Sequence, residues 1–172
     1  LPFNKAPQTE KVKKELLYPD RPLDRFWNIA EIDLEASSVL LINADTGRVI
    51  YEKNSDIPLP TASMSKMMTE LLVLESIESG ELKWGRDVEI SDYAYTISHQ
   101  PGYASVDLSK ERDYTVEELF QAMAIHSANG ATIALAEELA GSEEVIVQQI
   151  NQRAKELQLE ETQFVNSTGL DN

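Results

Sequence analysis

Between residues 37 and 56, apolar and polar positions form two short β-rich runs, "SSVLLINA" and "RVIYEKNSD", on either side of Asp45-Thr46-Gly47. Two such runs around a turn signal predict a β-hairpin. The period then changes. In "LPTASMSKMMTELLVLESIESG", Met67, Leu71 and Leu74 share one helical stripe, Met68, Leu72 and Val73 fill much of the rest, and Gly80 is placed as the stop. A helix apolar on so many sides is expected to be central and buried. Residues 81–114 hold neither period and are expected to be mixed and loop-like. Thr115 and Glu118 stand in capping-box spacing at the head of "TVEELFQAMAI", which predicts a helix to about Ile125. "HSANG" interrupts it, "ATIALAEELAG" resumes as a small-residue helix, and Ser142 is the expected N-cap of a third, "SEEVIVQQINQRAKELQL". The segment "ETQFVNSTGLDN" is turn-rich. Prolines interleaved with charges over residues 1–30 predict an extended arm, leaving residues 31–172 as the domain proper.

Composition narrows the classes. A chain of 172 residues, 42% apolar and 26% charged, is long enough for one globular domain with a core. The formal net charge of −15 argues against nucleic acid as a partner and against simple electrostatic binding to an anionic membrane. The absence of cysteine removes disulfides, Cys-ligated zinc and thiol catalysis together. No apolar run reaches the roughly 18 residues of a membrane span. The opening "LPFNKAPQTEKVKKELLYPDRPLD" lacks the charged-then-apolar order of a signal peptide, so an exported protein would be met here in its mature form.

The chemistry concentrates in two places. Ser63 and Lys66 are the only S-x-x-K pair in the chain, and on a helix residues three apart share a face. A serine hydroxyl becomes a useful nucleophile once a neighbouring base takes its proton. Lysine can be that base where burial and a helix N-terminus disfavour the ammonium form. The alternative is structural, with Ser63 capping the helix and Lys66 running its stem along the surface. Ser127 and Asn129 form the only S-x-N, on a break between two helices where both side chains could face one cleft. A plain interhelical turn uses the same residue types. His126 adjoins Ser127, but neighbours in sequence do not face each other on a helix, so a structural histidine is expected. His99 and His126 are too few to argue a metal site. The pairs Glu117-Glu118, Glu137-Glu138, Glu143-Glu144 and Glu160-Glu161 fall at helix starts or on solvated faces, where general acid work is not expected.

Taken together, "LPTASMSKMMTELLVLE", "IHSANGATIALAEELAGS" and "FVNSTGLDN", with the hairpin "VLLINADTGRVIYEKNSD", resemble the D-alanyl-D-alanine carboxypeptidases of serine peptidase family S11. These are low-molecular-mass penicillin-binding proteins of Bacillus type, and the likeness covers about residues 31–172. It implies an α/β (α+β) chain with the β-lactamase/transpeptidase-like fold, in which the hairpin opens an antiparallel sheet beside a helical cluster. It implies Ser63 as acylated nucleophile, Lys66 as its base, Ser127 as proton relay to the leaving D-alanine, and Asn129 as a substrate-binding residue. The substrates implied are peptidoglycan stem peptides ending in D-Ala-D-Ala and, as trapping ligands, β-lactams. No cofactor or metal is implied, and the location implied is the outer face of the cytoplasmic membrane or the cell wall. The family's third motif, Lys-Thr-Gly, is absent, and Asn166-Ser167-Thr168-Gly169 does not replace it because Asn166 stands where lysine is needed. The resemblance therefore implies the N-terminal part of a longer protein whose C-terminal remainder completes the site. A class A β-lactamase is a weaker match, since Ala128 replaces its motif Asp and Glu161 stands five residues before Asn166, where its Glu-x-x-x-Asn motif needs four. A non-catalytic module binding wall peptide or β-lactam is the remaining alternative.

Overall fold

The computed structural model describes residues 34–170, so the expected arm over residues 1–30 lies outside the described residues. The chain divides into two compact units, Leu1–Ile57 and Pro58–Asn172.

In the first unit, strands β1 (Val39–Ile42) and β2 (Val49–Lys53) pair antiparallel, with Val39 opposite Lys53 and Leu41 opposite Tyr51. The register slips between Leu41 and Ile42, so that Ile42 pairs with Val49. The turn is built by Asn43, whose Oδ1 accepts from the Asp45 and Thr46 amides and the Thr46 hydroxyl at 2.9–3.0 Å. Gly47 closes it at φ +68°, a conformation that suits a residue without Cβ. The hairpin is placed as expected.

In the second unit, a 3-10 turn at Ala62–Ser65 leads into helix α1 (Lys66–Ser79), which ends at Gly80 in the left-handed region. Three elements follow in the stretch expected to be loop-like: strand β3 (Asp87–Val88), helix α2 (Asp92–Ser98) and strand β4 (Tyr114–Thr115). That expectation is corrected. Ser91 accepts the Ala94 amide as N-cap of α2, and β3 pairs with β4 through Asp87–Thr115 and Val88–Tyr114. Helix α3 (Val116–His126) opens with both halves of the Thr115–Glu118 capping box in place. Helix α4 (Asn129–Ala140) begins two residues earlier than "ATIALAEELAG" suggests, and α5 (Glu143–Glu156) is capped by Ser142 as expected.

A second correction concerns which helix is central. Met64 is 62% exposed, Met67 57% and Leu74 44%, whereas every residue of α4 from Asn129 to Ala136 is buried. The physical reason is side-chain size. Gly, Ala and Thr let neighbouring helices approach α4 closely: a Cβ on Gly130 would lie 2.6 Å from Ser98 Cβ and 2.7 Å from the Ala94 carbonyl oxygen of α2. One core cluster gathers Val73, Val88, Leu119, Met123, Ile133 and Leu135, and a second joins Met68 and Ala136 to Ile146, Ile150 and Ala154 of α5. Outside these, Arg153 of α5 pairs with Glu75 of α1 at 2.7 Å.

Candidate active site

Ser63 lies inside the 3-10 turn, one residue after Ala62, which holds φ +46°. A non-glycine residue in that region stores strain that its surroundings must impose. The turn's N-terminus has no side-chain cap, and neither does that of α1. Ser63 therefore does not cap the helix. Its hydroxyl oxygen instead accepts from Lys66 Nζ at 3.0 Å, the geometry that i and i+3 on one face allow.

Ser63 is exposed while Lys66 is 2% exposed. Nothing about Lys66 fits a lysine with its head in water. Its amine also donates to the Thr168 carbonyl at 3.0 Å, across a sequence separation of 102 residues. Burial pulls the Lys66 pKa from 10.5 down to about 8, with the Glu70 carboxylate one turn along α1 opposing the shift. Burial in turn pushes the Glu70 carboxyl above its ordinary value, with Lys66 opposing that. The pair of Ser63 and Lys66 thus places an exposed hydroxyl beside a desolvated amine that can be neutral near physiological pH.

Thr168 belongs to the turn-rich segment, to which sequence reasoning assigned no role in the site. Asn166 Oδ1 accepts from the Thr168 amide (3.2 Å), the Thr168 hydroxyl (3.3 Å) and the Gly169 amide (2.6 Å). Thr69, one turn past Lys66, donates its hydroxyl to the Ser167 carbonyl at 2.9 Å. Asn-Ser-Thr-Gly is a turn signature, since an Asn side chain bonds its own backbone two residues on and Gly accepts positive φ. That signal locates the turn but not what it faces.

Ser127 is the C-cap of α3, at φ 54° and ψ 30°, and is partly buried. It turns the chain between α3 and α4, and the Ala128 amide donates to the Ala122 carbonyl at 3.2 Å. Asn129, the first residue of α4, is 1% exposed and ties its amide to the Ala104 carbonyl at 3.0 Å. Its side-chain Oδ1 is buried without a hydrogen-bond partner among the described residues, an uncommon condition for a polar atom. Among the described residues, hydrogen bonds join Ser63 to Lys66, but none joins either of them to Ser127 or Asn129. His126 ends α3 on the exposed surface, and His99 bonds Ser98 and the Tyr95 carbonyl.

The model of the D-alanyl-D-alanine carboxypeptidase family matches residues 27–172. The chain is 42% identical over 141 residues to D-alanyl-D-alanine carboxypeptidase DacF of Bacillus subtilis, covering 82% of this chain and 35% of that protein. Among solved structures, a peptidoglycan synthesis regulatory factor (PBP3) from Streptococcus pneumoniae superposes with a TM-score of 0.76 at 38% identity, over 80% of this chain and 38% of that one. Penicillin-binding protein D2 from Listeria monocytogenes in its cefotaxime-bound form superposes with a TM-score of 0.70 at 31% identity, over 82% and 55%. The chain spans about a third of the length of curated relatives such as DacF of Bacillus subtilis and D-alanyl-D-alanine carboxypeptidase DacA of Escherichia coli.

Proposed function

Because the chain belongs to the D-alanyl-D-alanine carboxypeptidase family, we propose that it carries the nucleophile and base of a serine carboxypeptidase acting on peptidoglycan stem peptides. The observation that carries this reading is the 3.0 Å bond between the Ser63 hydroxyl and a buried Lys66 amine whose pKa is lowered to about 8. In the forward step, Ser63 Oγ bonds to the carbonyl carbon of the penultimate D-alanine while its proton passes to neutral Lys66. The bond to the terminal D-alanine nitrogen then breaks as the Ser127 hydroxyl gives that nitrogen its proton and takes in exchange the one held on Lys66, which is neutral again. Water hydrolyses the ester on Ser63 and restores the serine. The Ser63 backbone N–H is the proposed oxyanion donor, and Asn129 the residue that holds the substrate peptide. A β-lactam presents a similar acyl group and would remain as a slow-turning ester on Ser63.

The substrate ends in a carboxylate, while the chain carries a net charge of −15. A cation must outweigh that repulsive field in the cleft. Lys66 cannot serve while it is the neutral base, so the terminal carboxylate calls for the Lys-Thr-Gly motif of the family, contributed by residues beyond those described. A cell-wall substrate places the protein in the envelope, at the outer face of the cytoplasmic membrane or in the wall. No helix among the described residues is long and apolar enough to cross a membrane.

The test is covalent labelling of the complete protein with a fluorescent penicillin, together with release of D-alanine from a D-Ala-D-Ala peptide. Ser63→Ala is expected to abolish both, while Ser65→Ala retains labelling. Undiminished labelling of the Ser63→Ala protein would sink the assignment. Labelling of the unaltered protein with no release of D-alanine would make it a binding module instead.

A further inference from the structure

The turn at 166–169 meets the nucleophile-bearing segment at three points. Thr168 accepts from Lys66, Ser167 accepts from Thr69, and Gly169 lies so close to Ala62 that a Cβ would stand 1.9 Å from the Ala62 carbonyl oxygen. The turn is itself held from two sides. Asn166 gathers three donors on Oδ1, and its Nδ2 donates to the Leu170 carbonyl at 2.6 Å. From the first turn of α5, Glu143 Oε1 accepts both the Ser167 amide at 3.1 Å and the Ser167 hydroxyl at 2.6 Å. Ser167 and Thr168 are almost wholly buried, so these bonds are made away from competing water.

A neutral amine has two N–H groups and one lone pair, and only the lone pair can take the Ser63 proton. Free rotation about the last C–N bond would aim that lone pair at Ser63 only part of the time. An N–H held by a fixed, buried carbonyl removes this freedom. We propose that Asn166 and Glu143 are positioning residues, which together hold the Thr168 carbonyl where it aims the Lys66 lone pair at the Ser63 hydroxyl. Neither touches the reacting atoms, and the proposal rests on the reading of Ser63 and Lys66 as nucleophile and base. During acylation the Ser63 proton moves to Lys66 and the new bond forms at Ser63 Oγ, while the N–H bonded to Thr168 stays where it is.

The experiment measures penicillin acylation of the complete protein, resolved into reversible binding and the covalent step, across pH. Asn166→Ala and Glu143→Leu should slow the covalent step about tenfold or more and leave reversible binding within about twofold. Their acidic limb should move to higher pH, because a loosened turn lets water reach Lys66, and the Glu70 carboxylate acts in the same direction. Glu143→Gln keeps an acceptor oxygen and should recover most of the rate. Should Asn166→Ala fail to fold, the two Glu143 variants carry the comparison. Mass mapping of the penicillin adduct separates the two ideas. Acylation away from Ser63, or normal acylation by Lys66→Ala, would overturn the nucleophile and base themselves. An adduct on Ser63 with an unchanged covalent step and unchanged acidic limb in the variants, even at a lowered Tm, would overturn the positioning role alone.

Discussion

Gly169→Ala isolates the close approach beneath Ser63, the proposed nucleophile. Gly169 holds φ +76°, and an added Cβ would meet the Ala62 carbonyl oxygen at 1.9 Å, its carbon at 2.5 Å and Ser65 Oγ at 2.9 Å. Carbon and oxygen atoms settle at about 3.3 Å or more, so backbone must retreat by roughly 1.4 Å. The Ala62 carbonyl belongs to the residue before Ser63, so Ser63 moves with it. Misplacing a reacting group by about 1 Å costs on the order of 100-fold in rate. The left-handed conformation adds about 1–2 kcal/mol for any residue with a Cβ, and overpacking adds a further 1–3 kcal/mol or so. Gly80→Ala is the matched control: it has φ +82° and nothing within 4 Å of the new Cβ. It should lose only the conformational part of the stability and none of the acylation rate. The assay pairs thermal unfolding with second-order penicillin acylation on the complete protein. A Gly169→Ala protein that acylates within about twofold of the unaltered one would refute the claim that this contact fixes Ser63.

The remaining predictions follow from the same geometry. Lys66→Arg keeps the charge but cannot present a neutral base, so penicillin acylation should be lost, and an unchanged rate would mean Lys66 only packs. With the Lys66 pKa at about 8, the neutral fraction and the acylation rate should rise about fivefold from pH 7 to 8 and level off above 9. A pH–rate profile with its limb near 10.5 would contradict this. Because the folded-state pKa is depressed, unfolded Lys66 binds the extra proton between about 8 and 10.5. Its contribution therefore makes stability rise with pH across that window, read as the pH dependence of urea midpoints. Gly130→Ala would ordinarily favour a helix by about 1 kcal/mol, but here the new Cβ would lie 2.6 Å from Ser98 Cβ, so denaturation should show destabilisation by about 1–3 kcal/mol. A stabilised variant would show that α2 and α4 can separate without cost.

Local signals were legible wherever one stretch of chain satisfied itself. The Thr115–Glu118 box, the Ser142 cap, the Gly80 stop and the turn at Asp45-Thr46-Gly47 all depend on residues within a few positions of each other. Helix α2 was not legible, because seven residues rich in aromatic and β-branched side chains hold little helical preference alone. Its Ser91 cap and the Pro101-Gly102 beyond it were the available signs. The exposure of Met67 and Leu74 could not be foreseen from periodicity, which marks a stripe as apolar without naming what covers it. Within the site, the Ser63–Lys66 contact follows from helical spacing, whereas the Thr168 acceptor joins the pair only through tertiary folding.

That acceptor ties the site's chemistry to the order in which the chain folds. Closing a loop of 102 residues costs about 4 kcal/mol in chain entropy by the logarithmic rule, against about 1 kcal/mol for a three-residue separation. Contacts of such range tend to form late, after local helices are in place. On the proposed reading of Ser63 and Lys66, a chain whose 166–169 turn has not docked should leave Lys66 hydrated and protonated, and Ser63 without its base. A nascent or partly folded chain should therefore be chemically silent toward acyl donors, with the proposed reactivity at Ser63 appearing together with the native topology. A covalent penicillin adduct would then report complete folding of this half of the site, one molecule at a time.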